Sequence, residues 1–297
     1  MALKTLLARC ASSRTTATAM VAAAPVRAPW GVFSPPAAAV RAFAAKAGGA
    51  AAVVSGAAPR VVPAVPVAAE AVGEYEYKYY DEYGMIASLP PYASVAPRVP
   101  PVVLPPKKPS APDLNLVLDL DYTLVYPETR KLPGAEFSFH VPDRHGGGSV
   151  MYALKRPHLD HFLEWASTRF EVTVFTASDR AYAERMMDLL DPEKKYIHHR
   201  VYRDSILNLG FNYVKDLTVL GRDLAKTMLV DDSPLNFGYQ PDNGIPITTW
   251  MGRPGRAADT ELLKLIKFLE TLLGQPDVRP LLRDKFQVHK YVAAAVR

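Results

Sequence analysis

Hydrophobic and polar positions along the chain follow two regimes that meet near Asp113. From there on, short apolar runs alternate with helical stripes, the pattern of an α/β domain. Leu114 to Thr129 begins as an apolar run and then presents Asp119 and Asp121 at adjacent steps of one strand face. Glu136 to Val141 and Val150 to Leu154 predict two strands joined by a D-R-H-G-G-G-S tip, a hairpin. Pro157 is expected to open a helix with Leu159, Phe162, Leu163 and Ala166 on its apolar face. Glu171 to Phe175 predicts a strand, Arg180 to Leu190 a helix, and Thr227 to Val230 and Ile245 to Thr248 two more strands. Asp259 to Leu273 closes the series as an amphipathic helix with Leu262, Leu263, Ile266 and Leu269 inward.

Upstream of Asp113 nothing between Ala44 and Pro112 reads as packed. Ala47 to Ala58 is rich in Ala and Gly, and Pro59, Arg60 and Pro63 then interrupt it. No window reaches the roughly 20 uninterrupted apolar residues of a membrane span, so no transmembrane helix is predicted. Gly73 to Gly84 alternates Tyr with charge and reads as a solvated segment, an edge strand or a docking peptide. Pro90 to Pro112 predicts a polyproline-like linker.

The formal charge of +5 changes little, because Met1 to Phe43 carries Lys4, Arg9, Arg14, Arg27 and Arg41 and no acid. Without those residues 30 basic residues face 30 acidic ones, which gives no electrostatic footprint for nucleic acid. The acid-free arm is rich in Ala, Ser and Thr, with Leu3, Leu6, Leu7 and Cys10 on one helical stripe, and predicts a mitochondrial transit peptide over 1–43. A merely disordered Ala-rich tail and a plastid address are the other readings of such an arm. The segment Arg41-Ala-Phe-Ala resembles a matrix-peptidase site, which places cleavage after Phe43. Cys10 is the only cysteine, so the mature chain has none for disulfides, thiolate metal sites or cysteine-based phosphatase chemistry. Residues 44–112 are thus expected to be a disordered linker and 113–297 the folded domain.

Candidate chemistry gathers at the carboxyl ends of the apolar runs. Asp119 and Asp121 would repel each other beside Leu118 and Leu120 unless a cation lay between them. The run over Thr227 to Val230 also ends in paired acids, Asp231 and Asp232, which predicts a four-carboxylate magnesium pocket. Thr123 offers a hydroxyl where the chain leaves the first strand. Thr176 ends the strand at Phe175, beside a helix N-terminus that suits a phosphoryl oxygen, with Ser178 or Asp179 as alternative helix caps. Lys215, next to Asp216, would by itself read as a surface charge. His158, His161, His198 and His199 form no convincing ligand set.

The motif D-L-D-Y-T-L-V resembles the nucleophile motif D-x-D-x-T of the haloacid dehalogenase superfamily. With K-R-P-H-L-D-H-F-L, V-F-T-A-S, V-Y-R-D-S, N-Y-V-K-D-L, L-G-R-D-L, L-V-D-D-S-P and P-D-N-G-I-P-I in that order, the chain resembles the small phosphatases acting on the C-terminal domain of RNA polymerase II. The same homology group includes the Tim-fifty receptor subunit of the mitochondrial inner-membrane presequence translocase. The resemblance implies a Rossmann-like three-layer α/β fold with a central parallel sheet and a small β-hairpin cap. It also implies magnesium-dependent hydrolysis of phosphoserine or phosphothreonine in a protein substrate. By the same resemblance Asp119 is the nucleophile, Asp121 the general acid and base whose backbone carbonyl binds the metal, and Thr176 the phosphate-binding hydroxyl. Lys215 neutralises the phosphoryl group, Asp231 and Asp232 hold the metal, and Thr123 and Arg203 face substrate. Asp232 stands where the small phosphatases usually carry Asn. The alternative function is a translocase receptor with mitochondrial partner subunits.

Overall fold

The structure, a computed structural model, describes residues 82–142, 147–210, 212–252 and 259–296. The N-terminal arm with its cleavage site, the Ala-rich stretch, most of the Tyr-rich segment and part of the hairpin tip lie outside the described residues.

Five strands form one parallel sheet: β1 (Leu114–Leu118), β5 (Phe170–Phe175), β6 (His199–Val201), β9 (Thr227–Asp231) and β10 (Gly244–Pro246). Their spatial order is β10-β9-β1-β5-β6. All residues of β1, β5 and β9 are buried, as expected of parallel strands covered on both faces. Strand order reverses about β1, and ligands of open α/β sheets bind at such a switch point, beyond the carboxyl ends of the strands.

Helix α1 (Leu159–Ser167) packs on β5 and on α3 (Glu261–Glu270), while α2 (Arg180–Leu190) links β5 to β6. The helix expected at Pro157 starts later, because His158 adopts a left-handed φ of 68° just before Leu159. In α3, Leu265 rather than Leu263 joins the buried stripe; Leu263 is only half-buried. Two short helices, α4 (Arg279–Phe286) and α5 (Val288–Ala295), close the chain, and sequence periodicity does not mark them.

Between β1 and α1 the expected hairpin is formed by β3 (Phe137–Pro142) and β4 (Gly148–Lys155), and a further strand, β2 (Val125–Glu128), joins it. The result is a three-stranded antiparallel sheet of order β2-β4-β3. Pro127 argues against a central strand, and β2 accommodates it at the edge of this sheet. A two-stranded ladder, β7 (Leu207–Asn208) with β8 (Tyr213–Val214), leads to Lys215.

The linker expected up to Pro112 does not hold for residues 82–112. Residues 82–87 form a helix and Tyr92–Val95 a helical turn, and Tyr83, Ile86 and Val95 are buried. The Pro-rich backbone is tied to the domain: Val103 donates to the Val219 carbonyl at 2.8 Å, Arg222 to the Pro105 carbonyl at 3.0 Å and Tyr239 to the Pro90 carbonyl at 3.0 Å. Proline excludes regular helix but leaves carbonyls free, and Arg222 and Tyr239 satisfy those of Pro105 and Pro90.

Candidate active site

The carboxyl ends of β1, β5 and β9 bring the expected residues together. Asp119 follows β1 and donates its backbone N–H to the Val230 carbonyl at 2.9 Å, which fixes it beside the end of β9. Lys215 arrives from the β8 side, its backbone N–H bonded to the Asn236 carbonyl at 2.8 Å. Its ammonium lies 2.6 Å from Asp119 Oδ1 and 2.7 Å from Asp231 Oδ2. The surface-charge reading of Lys215 therefore fails, since the side chain is fully buried. Burial opposes its charge, yet Asp119 and Asp231 outweigh that effect and hold Lys215 above its ordinary value.

Asp231 is also fully buried; its Oδ1 accepts from the Ser233 backbone at 2.9 Å and from Asn236 Nδ2 at 2.7 Å. Burial pushes its carboxyl up to about 6 against the pull of Lys215. Carboxylate oxygens of Asp119, Asp231 and Asp232 lie within 4.8 Å of one another. Three carboxylates against one ammonium leave a site short by the charge of one divalent cation, and the all-oxygen donor set suits a hard ion. These three residues fit a hard divalent cation.

The side chain of Asp121 does not belong to that cluster, so the four-carboxylate expectation is corrected. Regular strand ends at Leu118, and Tyr122 takes a left-handed φ of 65°, so the two-residue face rule no longer applies. Asp121 instead receives Ser178 Oγ on Oδ2 and the Tyr182 hydroxyl on Oδ1, each at 2.5 Å. Burial pushes its carboxyl up to about 6, although both hydrogen bonds act the other way. Ser178 is thus not a helix cap, and Asp179 at the start of α2 makes no side-chain cap either.

Thr123 differs from expectation too. It is fully buried, and its hydroxyl donates to Asp119 Oδ2 at 2.9 Å, so it orients that carboxylate instead of meeting substrate. Thr176 is buried at the end of β5, its Oγ1 accepting the Ser178 backbone N–H at 3.0 Å, which leaves its proton available for another acceptor. Arg203 sits at the rim of the same loop, donating to the Ala177 carbonyl at 2.5 Å and to both Asp179 oxygens at 3.2 Å.

Sequence reasoning missed two supports. Tyr182 lies in the first turn of α2, while Ser178 lies in the loop before it, so no helical spacing pairs the two. Its ring stacks on Phe139 of β3 with centroids 6.0 Å apart, which connects the small sheet to Asp121. Arg156, buried below the loop, donates to the Thr123 carbonyl at 3.1 Å and to both oxygens of Asp259 at 3.1 and 3.0 Å. No spacing signal links residues so far apart.

The stretch that carries these residues has known relatives. Residues 114–279 match the family described as NLI interacting factor-like phosphatase. CTD small phosphatase-like protein 3 of Caenorhabditis elegans is 44% identical over 216 residues, covering 72% of this chain and 73% of that protein. CTD small phosphatase-like protein 2 of Dictyostelium discoideum is 46% identical over 196 residues, or 66% of this chain but only 34% of the relative. The human carboxy-terminal domain RNA polymerase II polypeptide A small phosphatase 1 is 39% identical over 169 residues, covering 57% of this chain and 63% of its own. A solved structure of the fission yeast RNA polymerase II CTD phosphatase Fcp1, bound to beryllium fluoride, is similar with a TM-score of 0.41 at 18% identity. That likeness covers 60% of this chain and 56% of the Fcp1 chain. By the match over more than half of its length, residues 114–279, the chain belongs to the NLI interacting factor-like phosphatase family.

Proposed function

We propose that the chain is a magnesium-dependent protein serine/threonine phosphatase that works through an aspartyl phosphate on Asp119. The observation that carries this reading is the buried Asp119–Lys215–Asp231 contact, with Asp121 held apart from it by two hydroxyls. Asp119, Asp231 and Asp232 would hold the ion, which when bound supplies positive charge against the phosphoryl oxygens. An oxygen of Asp119 attacks phosphorus, the bond to the seryl or threonyl oxygen breaks, and Asp121 gives that oxygen its proton. Asp121 then takes a proton from water as the water oxygen attacks the same phosphorus, releasing phosphate and restoring Asp119. Lys215 and the Thr176 hydroxyl stabilise charge on the phosphoryl oxygens in both steps. Arg203, at the rim, is suited to contact the substrate chain. A protein substrate is supported by the names of the relatives and by the small size of the insertion between β1 and α1, three strands among the described residues.

The address belongs to this proposal as well: the acid-free arm and Arg41-Ala-Phe-Ala support delivery to mitochondria with cleavage after Phe43. No helix among the described residues is long and apolar enough to cross a membrane. A receptor role in the translocase has less support, because the complete acid set and Lys215 are what turnover requires.

The deciding experiment uses the full chain and an aryl phosphate. Activity is expected to vanish with a chelator, return with magnesium, and be absent in Asp119→Asn with the circular dichroism of the parent retained. Turnover that survives chelation, or an Asp119→Asn variant as active as the parent, sinks the mechanism. N-terminal sequencing of the mature protein and the position of a tagged copy check the address, and an intact Met1 end contradicts it.

A further inference from the structure

Tyr92 lies outside the stretch 114–279 that matches the family, yet it reaches the residue next to Lys215. Consecutive in the chain, Lys215 and Asp216 send their side chains opposite ways. The Lys215 ammonium enters the acid cluster, while the Asp216 carboxylate turns back toward the N-terminal segment. Asp216 is fully buried, and a carboxylate in that position is tolerated only when hydrogen bonds replace its water. Its Oδ1 accepts the Thr218 backbone at 2.9 Å, the Thr218 hydroxyl at 2.7 Å and Gln240 Nε2 at 3.1 Å. Among the described residues the donor to Oδ2 is the Tyr92 hydroxyl, at 2.7 Å. Tyr92 rests edge-on against Tyr239, with ring centroids 5.2 Å apart, and Tyr239 holds the Pro90 carbonyl. Farther along, Val103 bonds the Val219 carbonyl, so the segment grips the turn over Leu217–Leu220 at a second point.

We propose that this N-terminal strap sets the position of Lys215, with Tyr92 as a positioning residue that acts through Asp216. The proposal rests on the phosphatase reading of the site. With the strap seated, Asp216 is anchored from behind and the Lys215 ammonium is fixed where phosphoryl charge develops. Without the Tyr92 hydroxyl, Oδ2 loses its donor, the turn relaxes and Lys215 shifts. Because the ammonium binds the transition state more strongly than the bound substrate, the loss falls on kcat rather than KM.

The test compares the full chain with its Tyr92→Phe, Asp216→Ala, Tyr239→Phe and double Tyr92→Phe/Asp216→Ala variants. Hydrolysis of an aryl phosphate, affinity for orthovanadate as a phosphoryl mimic, and the thermal midpoint are measured. Misplacement by about 1 Å can cost on the order of 100-fold, so a partial loosening is expected to lower kcat of Tyr92→Phe about five- to tenfold, with KM within about twofold. Vanadate binding weakens in parallel while the thermal midpoint stays near that of the parent. Asp216→Ala loses more, and the double variant loses nothing further, because both changes act on one anchor. Tyr239→Phe removes a strap bond but leaves the Tyr92 hydroxyl on Asp216, and is expected to lose clearly less kcat than Tyr92→Phe. A Tyr92→Phe kcat within about twofold of the parent, losses that add in the double variant, or an equal loss in Tyr239→Phe overturns the proposal. If Asp216→Ala does not fold, the two Tyr→Phe variants still decide. A parent that neither turns over nor binds vanadate overturns the phosphatase reading and this proposal together, whereas a competent parent matched by Tyr92→Phe overturns this proposal alone.

Discussion

In the proposed mechanism Asp121 owes its proton-transfer role to its neighbours. Two hydroxyls hold its oxygens, and burial keeps its carboxyl near neutral range. General-acid help matters most when the leaving oxygen is a poor leaving group, as it is in phosphoserine, and least for nitrophenol. Tyr182→Phe is therefore expected to slow hydrolysis of a phosphoserine peptide about tenfold and of p-nitrophenyl phosphate about twofold or less. Equal losses on both substrates would show that Tyr182 only supports the fold. The acids themselves were legible in the sequence, because apolar runs that end in carboxylates are costly unless a site uses them. Thr123 was misjudged, since spacing places a hydroxyl but does not say which way it turns. Tyr182 escaped notice because it shares the buried stripe of α2 with Ala183, Met186, Met187 and Leu190 and reads as core.

Strand β1 lies between β5 and β9, and its residues Leu116, Val117 and Leu118 have no solvent exposure. Leu118→Ala is expected to cost about 2–5 kcal/mol, measured by urea unfolding, because a rigid sheet collapses poorly around a cavity. A loss under about 0.5 kcal/mol, the scale of ordinary surface changes, would contradict the central place of β1. At the other end of the sheet, Glu171 in β5 meets Arg222 at 2.7 and 2.9 Å and His199 at 2.8 Å. Burial raises its pKa, but the Arg222 and His199 hydrogen bonds prevail and hold it at about 2 instead of its ordinary 4.5. A folded-state pKa below the unfolded one gives stability that is present above about 4.5 and is lost as pH falls toward about 2. Glu171→Gln should thus lower the urea midpoint at neutral pH, and the gap from the parent should narrow through that window. A gap independent of pH would remove the ion pair from the account. Elements with long apolar runs were legible from periodicity. Short pieces were not: β2 contains Pro127, β6 spans three residues, and in α4 a Pro at the start leaves few turns to show a period.

At the scale of the whole molecule, the folded unit begins earlier than composition suggests. Pro-rich sequence from residue 90 to 112 reads as spacer, because its apolar residues have no period, yet Val95 is buried and Val103 is hydrogen-bonded to the domain. Each fully buried apolar side chain contributes about 1.5–3 kcal/mol, so a fragment of residues 113–297 should melt well below one of residues 82–297. Equal melting temperatures would make the segment a passenger. The order of parts along the chain has a further consequence. Lys215 stands 96 residues after Asp119, and Asp231 a further 16 residues on, while the main-chain ladders that join them run through β1, β5 and β9. No stretch of the chain that stops short of Asp231 contains both ends of the ion-pair network. While the polypeptide is extended, the proposed nucleophile Asp119 and its charge partners Lys215 and Asp231 are held apart. On the proposed reading the site is complete only once β9 stands beside β1, so the chain gains its activity where it folds.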